Sequence, residues 1–286
     1  MKYWIILFFV AIAAGCNESS DMNRDDFECL DNTEFRKLIK ETKKVQFEEI
    51  DSLEVKVIMG AGRLLISGKT KHLFAGSFAY NHEDFAPRVK YQKENTGGKI
   101  KIIPKQFKEN SEHEDIKNVW NLRFNEEIPM IMDLKFGAGL GEINLGSLNL
   151  YAGVLKLGAG KIDINLNESK SIQDLIIKMG VGDVTINLTD FERNSCNIKV
   201  DGGIGKFTLI LPDDKNSDIY IDRGIAKVSA DKFSKSSDHY FNHVNDNHET
   251  LNVIINAGLG HIELKNSSEV NITAETEKED FDETEL

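Results

Sequence analysis

The chain has 286 residues, 40% of them hydrophobic, enough for one large domain or two small ones with a substantial core. Its formal net charge of −12 excludes nucleic acid as the natural partner, which calls for a basic face. Twenty-two glycines against four prolines, with Val, Ile and Leu in short alternating runs, favour many short strands over helices.

Residues 1–15 read as an export signal. Lys2 supplies the positive start, and residues 4–14 ("WIILFFVAIAA") form an apolar run too short to span a bilayer as a stable helix. The run ends in Ala13-Ala14-Gly15-Cys16, which resembles a bacterial lipobox. That resemblance implies cleavage before Cys16 and a covalent lipid on its thiol, with no other cofactor. Cys29 and Cys196 remain; export exposes them to oxidising conditions, but nothing in the sequence brings them together, and they are read as unpaired. Residues 16–43 are polar and mixed in charge, a lipidated tether with a short helix expected over 33–43.

Residues 44–265 hold a returning phrase. Aligned on the second glycine it reads "MGAGRLLIS" (Gly60, Gly62), "FGAGLGEINL" (Gly137, Gly139), "LGAGKIDINL" (Gly158, Gly160) and "MGVGDVTINL" (Gly180, Gly182). It continues as "DGGIGKFTLIL" (Gly203, Gly205), the degenerate "DRGIAKVSA" (Ala226) and "NAGLGHIEL" (Gly258, Gly260). From 139 to 226 the spacings are 21, 22, 23 and 21 residues, the signature of a stacked repeat. Alternating apolar residues precede the glycines, as in Leu155 and Leu157, and follow them, as in Ile164 and Leu166. Such alternation puts those side chains on one face, with glycine turning a corner between two strands. A phosphate loop is excluded: its Gly-Lys-Ser/Thr ending is missing, and a strand follows where a helix is required.

Three stretches carry a family likeness: the glycine phrases, "FAYNHEDFAPRVKYQKENTGGKIKIIP" (78–104, with a hairpin expected at Gly97-Gly98) and "NVWNLRFNEEIPMIMDLKFGAG" (118–139). They resemble the toast-rack domains of bacterial envelope proteins, related to the N-terminal part of cell-wall-stress proteins of the LiaF type. The likeness spans roughly 45–265 and implies an all-β fold, a single-stranded right-handed β-helix or similar solenoid-like rack of short strands. It implies no catalytic residues.

Ala226 and Gly260 are 34 residues apart, so the last repeat carries an insertion, about 231–248. It holds His239, His243 and His248 with Asp238, Asp246 and Glu249, types that ligate zinc, although a solvated loop suits its polar composition better. Glu142, Asp163, Asp183 and Glu263 lie just beyond glycine corners and are expected to face outward among Arg63, Lys161 and Lys206. Trp120, Phe136, Tyr151 and Phe207 are expected in the apolar seam or its cap. Residues 266–286 form an acidic tail.

These readings together describe a non-catalytic cell-envelope lipoprotein, anchored in a membrane through Cys16. A Gram-negative outer membrane is favoured, because Asn17 replaces the aspartate that commonly retains lipoproteins in the inner one. Its solenoid is expected to act as a scaffold for an envelope protein or a second copy, with a link to envelope stress. A carbohydrate-binding or carbohydrate-active β-helix, and a metal-responsive sensor using the 231–248 insertion, are the alternatives.

Overall fold

The structure, a computed structural model, describes residues 38–106, 117–193, 195–244 and 250–269. Cys16, Cys29 and His248 lie outside them, as do the signal segment and residues 270–286 of the tail. Residues Arg36–Leu286 form one compact unit.

Each glycine phrase makes one rung of a parallel stack. Four rungs are single bent strands: β2 (Ser52–Ser67), β7 (Met130–Asn144), β8 (Leu150–Asn165) and β9 (Asp174–Asn187). Three are split at the corner: β10 (Cys196–Asp201) with β11 (Ile204–Leu211), β12 (Ser217–Asp222) with β13 (Lys227–Ser229), and β16 (Leu251–Asn256) with β17 (Leu259–Asn266). Segments before the corner form a first sheet and segments after it a second. The core lies on their inner faces: Leu155, Ile177, Val200, Ile164, Ile186 and Leu209 are all sealed from solvent. The alternation in the sequence therefore places each side chain as expected.

The corners stack in register, Gly62 on Gly139, then Gly160, Gly182, Gly205 and Gly260. All six have φ between +129° and +141°, a region from which a β-carbon is excluded. The phrase "INL" ends a rung by a second device. Asn144, Asn165 and Asn187 stack in register, and each side-chain oxygen accepts from the backbone N–H two residues on, at 3.2, 2.9 and 2.9 Å. This turns the chain, and the following leucines (145, 166, 188) close the core with no exposed surface.

The order of rungs departs from the order in the chain. The last phrase, β16–β17, pairs in parallel with β10–β11 on one side and with β12–β13 on the other. It therefore occupies the sixth place, and the degenerate phrase forms the seventh, outermost rung. Its corner differs from the six stacked ones: the chain turns through Gly224 (φ +49°), and Ala226 does not take the positive φ that those glycines share. The segment expected as a solvated loop instead forms a hairpin, β14 (Ser234–Ser236) and β15 (His239–Asn242), and β15 caps β12 in antiparallel fashion.

At the other end β5 (Gly97–Pro104) and β6 (Asn118–Phe124) pair in parallel with the two halves of β2, followed outward by antiparallel strands, β4 (Pro87–Glu94) on β5 and β3 (Phe74–Tyr80) on β6. β1 (Ile39–Val45) then lies on β3. The expected helix over 33–43 is thus overturned from residue 39 onward, where an edge strand bearing Lys40, Lys43 and Lys44 replaces it. The β4–β5 turn centres on Asn95-Thr96, with Asn95 at φ +54°, two residues before the Gly97-Gly98 pair expected to make it. Trp120, Phe136 and Phe207 are buried as expected, but Tyr151 is 48% exposed. The register shifts between Met130 and Ile131, opposite Tyr151, and this irregularity turns the ring outward.

Cys196 is buried at the start of β10, and burial is the main force pushing its thiol up to about 12. A thiol raised in the folded state keeps its full contribution below its ordinary value and loses stability as pH climbs toward 12. In the Arg36–Leu286 unit, which holds no other cysteine, iodoacetamide at pH 8 is expected to leave Cys196 unmodified until urea unfolds the chain. Rapid labelling of the native unit contradicts this burial.

Candidate interaction surfaces

The inner faces are filled by packing, so chemistry is confined to the outer ones. Beneath the last corners a cavity of about 20 Å³, lined by Met179, Val200, Phe207, Ala226, Ile255 and Ile262, has room for about one water and no substrate.

The carboxylates read as outward-facing, Glu142, Asp163, Asp183 and Glu263, do face outward, and two of them are tied to cations of neighbouring rungs. Glu142 on β7 accepts from Arg63 on β2. Glu263 on β17 lies 2.9 Å from Lys206 on β11 and 3.4 Å from Lys265. Partial burial raises its pKa, but the hydrogen bonds and charges of Lys206 and Lys265 outweigh that and hold it below the usual carboxylate value. The acids of the Glu142 row stand beside the mainly cationic row of Arg63, Lys161 and Lys206, an arrangement that suits cross-strand pairing.

The capping hairpin brings two of the three candidate histidines together. Period-two alternation places His239, Phe241 and His243 on one side of the strand, beside Asp218 of β12. His239 Nε2 lies 2.7 Å and His243 Nε2 3.1 Å from the same oxygen, Asp218 Oδ1. With protons on Nε2, both imidazoles donate to that one carboxylate. Tyr220 stacks on His239, with centroids 4.4 Å apart and planes 4° from parallel. Phe241 bridges His239 and His243 at 5.0 and 5.1 Å. Among the described residues no group of three or more His, Cys, Asp or Glu side chains is placed to hold a metal ion.

The outer face of the first sheet carries large apolar groups in the open. Ile131, Tyr151, Ile176, Ile254 and Tyr220 are between 36% and 52% exposed. In the register of β9, β10, β16, β12 and β15, Ile176, Lys199, Ile254, Tyr220 and His239 are consecutive neighbours. The row was not among the expected sites, although its signal lies in the sequence: Ile176 and Ile254 occupy the polar phase of their strands, out of step with the core residues on either side.

Comparison with known proteins places this geometry. The family model described as "N-terminal domain of toast_rack, DUF2154" matches residues 34–187 and 155–210. Comparison with curated proteins gives no significant match. Among solved structures, a "putative cell adhesion protein" from Clostridium sporogenes ATCC 15579 is 25% identical, with a TM-score of 0.63, over 80% of this chain and 100% of its own. A "putative adhesin" from Bacteroides fragilis NCTC 9343 is 12% identical, with a TM-score of 0.33, over 80% of this chain and 97% of its own.

Proposed function

The chain belongs to the toast-rack family, and from that premise we propose that it is a non-catalytic scaffold of the cell envelope. In this reading a lipid on Cys16 holds it to a membrane, the outer membrane of a Gram-negative cell. The outer face of the first sheet then receives an envelope protein, whose exchange under stress links the scaffold to envelope-stress sensing.

The observation that carries the reading is the row of exposed aliphatic and aromatic side chains from Ile176 to Tyr220. These apolar side chains, interrupted by Lys199, contribute nothing to the core and stand on a face that alternation would otherwise make polar. The similar structure from Clostridium sporogenes, whose name refers to cell adhesion, supports a binding role over a catalytic one. So does the pairing of Glu142 with Arg63 and of Glu263 with Lys206, which leaves these carboxylates engaged with cations.

Crosslinking of the full chain in cells tests this. The wild-type protein is expected to capture a reproducible envelope protein, and the double variant Ile176→Lys, Ile254→Lys to lose it. The melting temperature should stay close to wild type, since exposed substitutions change stability by about 0.5 kcal/mol or less. Cys16→Ser should shift the protein from the membrane to the soluble fraction. Identical captured products from the double variant, or recovery of glycan alone, would overturn the scaffold reading.

A further inference from the structure

The residue between the two glycines of each rung points outward at the corner, and the seven such residues form one column. In stacking order they are Ala61, Ala138, Ala159, Val181, Ile204 and Leu259, with Ile225 of the seventh rung last, its N–H bonded to Gly258 O at 3.1 Å. Alanine satisfies the corner in three rungs, so the fold does not require a larger group there. Yet Val181, Ile204 and Leu259 are 56%, 51% and 49% exposed, and Ile225 is 81% exposed. At about 4.8 Å per rung the column is a straight edge about 29 Å long.

The edge is flanked by cations although the chain as a whole is strongly acidic. On one side Lys135, Lys156 and Lys178 stack in register along an open groove of about 370 Å³, left where Gly137, Gly158 and Gly180 have no side chains. Lys156 and Lys178 reach carboxylates only at 4.0 and 3.8 Å, from Asp133 and Asp201. On the other side stand Arg63, Lys161, Lys206 and Lys227, and the last corner adds Arg223. Against these eight cations the same flanking rows hold three acids, Asp183, Asp201 and Asp222, all toward the aliphatic end, and two of the eight, Arg63 and Lys206, pair with Glu142 and Glu263 of the next row. Among the described residues Lys135, Lys161, Arg223 and Lys227 have no carboxylate within 4 Å.

We propose that this glycine edge lies on an anionic lipid bilayer, with the aliphatic residues entering the interface and the lysines meeting headgroup phosphates. Like charges packed side by side disfavour the free state and are relieved by an anionic surface. A second copy meeting edge to edge would oppose cation to cation. A soluble polyanion would satisfy the lysines but leave Val181, Ile204, Leu259 and Ile225 in water. A straight edge with its lysine row at one end and its aliphatic groups, beside Lys206, Arg223 and Lys227, at the other meets both demands on a flat lipid surface. The lysine row adjoins the proposed scaffold face, with Lys178 two residues from Ile176 on β9, but the aliphatic column at the corner is separate from it, and the inference does not require acylation of Cys16.

The test is co-sedimentation of the compact Arg36–Leu286 unit, which lacks the acylation site, with lipid vesicles. Phosphatidylcholine vesicles containing phosphatidylglycerol are expected to bind it and pure phosphatidylcholine vesicles not to. Lys135→Gln, Lys156→Gln and Lys178→Gln should each weaken binding about five-fold. Ile204→Ser with Leu259→Ser should weaken it at least as much as one lysine change. Ile254→Ser, on the scaffold face, should leave binding unchanged, and melting temperatures should stay near wild type throughout. Absence of binding to the anionic vesicles overturns the proposal. So does binding that falls with the lysines but is indifferent to Ile204 and Leu259, which would mark the edge as a site for soluble polyanions.

Discussion

Replacing Gly160 with alanine is expected to lower stability by about 3 kcal/mol or more, whereas Gly60→Ala should change it by less than about 1 kcal/mol. Two effects add at Gly160. Its φ is +134°, and a β-carbon there would stand 1.9 Å from Gly139 O in the rung below. The neighbouring carbonyl belongs to a hydrogen-bonded ladder and cannot retreat without breaking the stack. At Gly158 the φ is ordinary, but a β-carbon would meet Gly137 O at 2.1 Å, so close approach alone enforces glycine. Gly60 escapes both constraints, with nothing within 4 Å of the added carbon. The reason is topological: the outer neighbour of β2 changes from β5, last paired at Val57, to β6, first paired at Arg63. No carbonyl faces the gap. Urea unfolding of the three single variants checks the order, and equal midpoints for Gly60→Ala and Gly160→Ala would refute the close-approach argument.

Ending the chain after residue 250 is expected to release the whole seventh rung while the first four keep their protection. β12 and β13 reach the stack through β16 and β17, apart from the pairing of β12 with its own cap, β15. Loss of residues 251–269 removes Ile225 N–H to Gly258 O, Ala257 N–H to Asp222 O and Leu251 N–H to Asn216 O together. Hydrogen exchange should then find Ile219 and Ile221 exchanging like an unstructured chain, with Leu134, Leu155 and Ile177 still slow. Retained protection at Ile219 would mean that the seventh rung can move into the vacated slot, and would undo the claim that β16–β17 alone holds it.

The rung itself was legible because its signals are local. Alternation assigned Leu155, Ile177 and Val200 to the core, and the recurring Gly-x-Gly located the corners. Rung order was not legible, since every rung offers the same apolar phase and the same glycine pair, so local pattern fits any slot equally. The interval between Ala226 and Gly260 signalled an excursion without saying where the chain returns. Tyr151 was misplaced because a register shift breaks the alternation on which its assignment relied. Of the site candidates, His239 and His243 converge on Asp218 because both lie in the same phase of a strand. The insertion's polar composition suggested a loop and concealed that strand, which needs β12 as its partner.

A rack of identical parallel rungs is in effect a one-dimensional crystal, and its natural mode of failure is continued growth. Among the described residues this molecule reverses strand direction at three of its four sheet ends, all but that of β13. β4 on β5 and β3 on β6 close one end, and β15 on β12 closes the first sheet at the other. The antiparallel hydrogen-bond pattern differs from the parallel one, so an incoming molecule's glycine rung finds no continuation of the register. The lysines of β1 add charge to the terminal edge. A rack of this kind could otherwise extend as a fibre; the reversed strands oppose that wherever they cover an end rung.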